Sequence, residues 1–209
     1  MKFRSMIVVL AGMALCAAAH AQGNRFKPLT ESEMSDAQKQ AVKDMLGGLR
    51  GSFNWDGPNA LLLRSPELQG RTQKVGEYLR YKSAIPQRLN EFAILITARQ
   101  WDAQGEWLAH EGLAAKAGIS AATIADLKRG AMPGGMKDDE ALVYRFLTEL
   151  HATKTVSDAT FAEVKQRWGE QGVLDLTAVT GYYTMLAMIL GVAGNPVPSG
   201  VAAPLPVKK

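Results

Sequence analysis

The sequence predicts an all-α protein, a single helical domain of about eight helices with an antiparallel helical core. Three observations lead there. No stretch shows the period-two apolar alternation between turn residues that marks a strand. Apolar residues recur instead at spacings of three and four, as on one face of a helix. Helix punctuation bounds most of these stretches, with Ser or Pro at the start and Gly at the end.

The first residues stand apart from the fold. Met1-Lys2-Phe3-Arg4 is a short basic start, Met6 to Ala19 is uncharged and Ala/Leu/Val-rich, and Ala19-His20-Ala21 has the small-x-small pattern of a secretory cleavage site. Residues 1–21 are therefore expected to be a signal peptide cut after Ala21, which makes the mature protein periplasmic or secreted. The apolar run is too short to span a bilayer comfortably. Lys2 and Arg4 leave with it and no acid does, so the net charge of +4 becomes +2. A nearly neutral chain with scattered basic residues gives no support to a nucleic-acid partner, and no membrane partner is expected after cleavage. The sole cysteine, Cys16, leaves as well. The mature chain thus has no internal disulfide, thiol nucleophile or thiolate metal ligand.

The elements follow in order. Residues 22–57 hold an N-terminal helix and a loop: Ser35-Asp36-Ala37-Gln38 reads as a capping box, the helix stops at Gly47-Gly48, and Gly51 to Pro58 is irregular. Residues 58–195 form the main body. Asn59 to Arg64 is a short apolar turn of helix. Pro66 suits the first position of a helix through Leu68, Val75 and Leu79 to about Tyr81. Pro86 opens another, with Leu89, Phe92, Ile96 and the stem of Arg99 on its buried face. Asp102 to Gly105 interrupts it, with Asp102 as the expected cap of a helix from Glu106 to Ala117 that Gly118 ends. Ser120 caps a short helix closing near Gly130. Asp138 starts one with Leu142, Phe146 and Leu150 in a stripe, and Ser157 caps one with Phe161, Val164 and Trp168. After Gly169, Val173 to Val192 is apolar almost all round, which fits a buried central or inter-subunit helix. Residues 196–209, with Pro196, Pro198, Pro204 and Pro206, form an extended tail that could drape on a neighbour.

One stretch carries chemistry. Glu106 and His110 are four residues apart and share a helix face. A carboxylate beside an imidazole fixes its tautomer and makes it a proton donor and acceptor near neutral pH. Glu91 precedes His110 by 19 residues, which on one straight helix would put it about 100° away. A bend at Asp102 to Gly105 would bring it back to the imidazole. The plain alternative is that Glu106 and His110 form a surface pair worth about 0.3 kcal/mol. Arg64, Arg88 and Arg99 read individually as surface or ion-paired residues, Trp107 as core, Tyr182-Tyr183 as packing and His151 as a helix-end partner. The two mature histidines lie 41 positions apart and form no metal motif; Glu91, Glu106 and His110 as metal ligands is a weaker reading.

The order of Glu91, the Glu106-Trp107 to His110 stretch, Ala114, Ala117-Gly118-Ile119-Ser120 and Ile124 resembles the carboxymuconolactone decarboxylase-like family over about residues 58 to 195, and Leu63-Arg64-Ser65-Pro66-Glu67-Leu68 adds to the likeness. The resemblance implies an alkylhydroperoxidase D-like helical fold. In that redox branch a Glu, a Cys-x-x-Cys and a His carry the reaction. Its Glu falls on Glu91 and its His on His110, but its cysteines fall on Ala103 and Glu106, so a thiol-based antioxidant activity lacks its nucleophile here. The likeness is to the cysteine-free branch. That branch implies decarboxylation or isomerisation of a small carboxylated lactone or related acid without metal or organic cofactor. His110 would carry the proton, Glu91 would orient it, Glu106 would form a second polar wall, Arg64 or Arg88 would anchor the carboxylate and Trp107 would shape the pocket. It also implies a homo-oligomer, trimer or hexamer. Export favours a further reading, a non-catalytic module that holds a small ligand, because lactone chemistry in the family is mostly intracellular.

Overall fold

The computed structural model describes residues 25–194 and 196–206; the expected signal peptide and Cys16 lie outside them. The described residues form one all-α domain of eight α-helices, with no strand among them: α1 (Asp36–Gly47), α2 (Pro58–Leu62), α3 (Pro66–Tyr81), α4 (Gln87–Gln100), α5 (Gln104–Ala117), α6 (Ala121–Lys128), α7 (Asp138–Thr153) and α8 (Asp158–Val192). A single 3-10 turn, Glu31–Glu33, precedes α1.

Local chemistry sets the helix ends. Ser35, Ser120 and Ser157 each accept a backbone N–H from the third residue of the helix that follows, at 3.3, 3.0 and 3.3 Å. Each such cap is worth about 1 kcal/mol. Gly118 ends α5 in the left-handed conformation, φ 101°, where a side chain would be strained. Within α8, Gly169 at φ 71° and ψ −177° breaks the helical path, so the amphipathic first part and the apolar second part run in different directions. Phe161, expected on the buried stripe with Val164, is 42% exposed, while Val164 is fully buried.

The core is organised around α4, which packs on α3, α5, α6, α7 and α8. Every residue from Leu89 to Ala98 is buried, not only the expected stripe. Apolar side chains fill most of that surface, and the polar ones find partners. Asn90 Nδ2 donates to the carbonyls of Leu79 and Ile85, and Thr97 Oγ1 donates to the Ala93 carbonyl. Those hydrogen bonds offset the cost of burying polar groups all round the helix. Alpha8 is long and apolar enough by composition to cross a membrane, yet over half of its apolar stretch is buried, where α8 packs on α3, α4 and α7.

The turn between α4 and α5 positions the site. Ala103 N–H bonds to the Ala98 carbonyl at 2.8 Å and closes the turn. Asp102 does not cap α5: it sits at φ 49°, its carboxylate is engaged by Arg99, and Ala103 occupies the cap position without a side-chain bond. The helix consequently starts two residues before the expected Glu106. The tail packs on its own chain. Gln104 grips Leu205, accepting its N–H at 2.8 Å and donating to its carbonyl at 3.1 Å, and Leu205 is buried.

Candidate active site

Alpha4 and α5 fold back on each other about the turn at Trp101–Ala103, and Glu91 precedes that turn by about as many residues as His110 follows it. The two side chains therefore meet. Glu91 Oε2 lies 2.6 Å from His110 Nδ1, and both residues are buried, at 2% and 5% exposure. An ionised Glu91 accepts the Nδ1 proton, in a charge-assisted bond worth about 1.5–3 kcal/mol. That leaves Nε2 as the nitrogen free to exchange a proton. Glu106 Oε2 stands 3.6 Å from Nε2, one helical turn earlier on α5. The other Glu91 oxygen faces Arg80 Nη2 at 4.0 Å, and the edge of the Tyr183 ring meets the imidazole at 5.2 Å between centroids. Nδ1, Nε2 and the carboxylate behind them are thus held from three sides.

His110, Glu106, Arg80 and Tyr183 border a cavity of about 250 Å³ whose wall also includes Arg50 and Asn59, with Glu91 behind the imidazole. Arg50 comes from the segment just after α1, where the chain turns at Gly51 with φ 61°. Arg80 comes from the last turn of α3. The Nε atoms of both arginines are buried without a hydrogen-bond partner among the described residues, as is Asn59 Oδ1. A pocket walled by two guanidinium groups is suited to a small anion.

Burial pushes the Glu106 carboxyl above its ordinary value, against the pull of the His110, Arg50 and Arg80 charges. Burial also raises the Tyr183 hydroxyl well above its ordinary range and that of Tyr182 to about 12, so both keep their protons. Glu91 and Glu106 face opposite nitrogens of one ring, and no three His, Cys, Asp or Glu side chains among the described residues converge as a metal-binding group.

The remaining sequence candidates lie elsewhere. Arg88 is held by Asp139 at 2.6 Å and by Glu140, which ties α4 to the start of α7 and leaves it no role at the cavity. Arg64 donates to the carbonyls of Ala60 and Lys27 and covers the Phe26 ring. It borders a larger cavity of about 430 Å³ between Trp55, α2 and the tail, not the one holding His110. Trp107 is fully buried in the main core and does not line the His110 cavity. Sequence reasoning missed Arg50 and Arg80. The cluster Gly47 to Gly51 around Arg50 marks a sharp turn, but nothing local says over which helix it turns.

No family model matches the chain, and no curated protein matches it.

Proposed function

We propose that this chain is a cysteine-free member of the carboxymuconolactone decarboxylase-like family, with the alkylhydroperoxidase D-like arrangement of helices. On this reading it is an exported lyase or isomerase of a small carboxylated lactone. The observation that carries the reading is that His110, backed by Glu91, lines a cavity that also presents Arg50 and Arg80. The guanidinium groups hold the substrate carboxylates. When a carbon–carbon bond to a carboxylate breaks, carbon dioxide leaves and the electron pair moves into the lactone carbonyl as an enolate. His110, oriented by Glu91, then returns a proton to carbon. Isomerisation uses the same pair, with proton removal and return in place of carbon dioxide loss. A thiol-dependent peroxidase reading is disfavoured because Ala103 and Glu106 occupy the positions its cysteines would need.

Self-association into a trimer or hexamer belongs to the same reading. It is supported by the outward apolar face of α8, where Leu174, Met188 and Val192 are 68, 49 and 63% exposed.

The test is turnover of carboxylated unsaturated γ-lactones, followed by carbon dioxide release and by proton exchange at the ring. Wild type is expected to turn over at least one of them, and His110→Ala to lose about 10²–10⁴ in rate with unchanged helical content. Equal rates in the two proteins would remove His110 from the chemistry.

A further inference from the structure

Among the described residues, Glu106 is the one acidic side chain on the wall of the cavity. It is 3% exposed, and its carboxyl makes no hydrogen bond among the described residues; its nearest ion-pair contact is His110 Nε2 at 3.6 Å. A buried carboxylate without hydrogen bonds is costly, whereas a protonated carboxyl that donates to a bound oxygen is not. The groups facing it come from every surrounding element: Arg50 from the segment after α1, Arg80 from α3, Glu91 from α4, His110 from its own helix, and Tyr182 and Tyr183 from α8. Burial is the main influence against its charged form; His110 and then the two arginines favour that form, and Glu91 opposes it.

We infer that the cavity takes up its carboxylate ligand together with one proton from solvent, which Glu106 holds and donates as a hydrogen bond to a carbonyl or ether oxygen of that ligand. An anion seated on Arg50 and Arg80 offsets two of the positive charges that stabilise ionised Glu106, leaving His110, and adds a negative charge beside it. Both changes favour the protonated carboxyl. By linkage, affinity rises as pH falls, approaching tenfold per pH unit where Glu106 is ionised in the free protein and protonated in the complex. No bond of the ligand is made or broken, so the behaviour holds whether or not turnover follows. The inference rests on the reading of this cavity as an anion site.

The experiment is calorimetric titration of the full chain with a saturated carboxylated γ-butyrolactone, a monoanion from about pH 6 to about pH 9. Each pH is run in two buffers of different ionisation heat, so that protons are counted. Wild type is expected to take up a proton on binding, approaching one per ligand at the pH where Glu106 is ionised in the free protein and protonated in the complex. Glu106→Gln is expected to bind at least as tightly there and to take up none. In wild type labelled with [13C]glutamate, infrared difference spectra on adding the ligand should gain a protonated-carboxyl band, a readout that needs no variant. Proton uptake undiminished in Glu106→Gln, affinity independent of pH, or absence of that band would overturn the inference while leaving the anion site standing. Binding that is absent, or unaffected by Arg80→Ala, would overturn the anion-site reading and the inference with it.

Discussion

Glu91 Oε2 and His110 Nδ1 are 2.6 Å apart although 19 residues of chain separate them. The contact exists because the chain reverses direction at a tight turn between the buried α4 and the half-buried α5, and it fixes which imidazole nitrogen is bound and which faces Glu106. Arg80 lies on the far side of the same carboxylate, so the acid links the imidazole to the cationic part of the cavity wall.

Glu91→Gln keeps the size of the side chain but replaces the charged acceptor with an amide. Turnover in the variant should fall by about 10²–10⁴, because the imidazole loses the partner that orients it. Steady-state rates and a pH–rate profile check this; an unchanged profile would show that Glu91 does not act through His110.

The arginines make a second contrast. Arg50→Ala and Arg80→Ala should each weaken binding of a carboxylated lactone by about 10- to 100-fold, as expected when a charge-assisted hydrogen bond is lost. Arg88→Ala should leave binding unchanged and cost about 1–3 kcal/mol of stability, since it strips the partner from the buried Glu140 carboxylate. Ligand titration and denaturant unfolding of the three variants separate these effects.

That contrast also shows where the sequence was legible. The capping serines, Pro66 and Gly118 declare the helices through local chemistry, and the break expected at Asp102 to Gly105 offered a way to bring Glu91 to His110. Arg88 looked as available as any arginine, because its partners Asp139 and Glu140 lie about fifty residues on, in another helix. Arg50 and Arg80 reach the cavity from a loop and a helix end, and only tertiary packing decides what such ends face. Alpha4 is buried well beyond the expected stripe of Leu89, Phe92 and Ile96: Asn90, Glu91 and Thr97 are buried too, each with a partner.

Glu106 predicts a pH effect on stability. Its carboxyl is raised in the folded protein above the ordinary 4.5, so between that value and its folded value the folded state binds more protons than the unfolded state. Stability from this group is complete below about 4.5, declines as pH rises through that window and is level above it. Glu106→Gln removes the decline. The variant should melt higher than wild type at neutral and alkaline pH, with the gain vanishing toward pH 4.5. Thermal melts across pH check this, and a constant difference at every pH would contradict it.

The most direct test of the whole account is a crystal structure with a carboxylated γ-lactone bound. The account predicts the ligand carboxylate within hydrogen-bond reach of Arg50 or Arg80, with its ring against His110 and Glu106. A ligand seated instead beside Trp55 and Arg64, with the space around His110 unfilled, would contradict it.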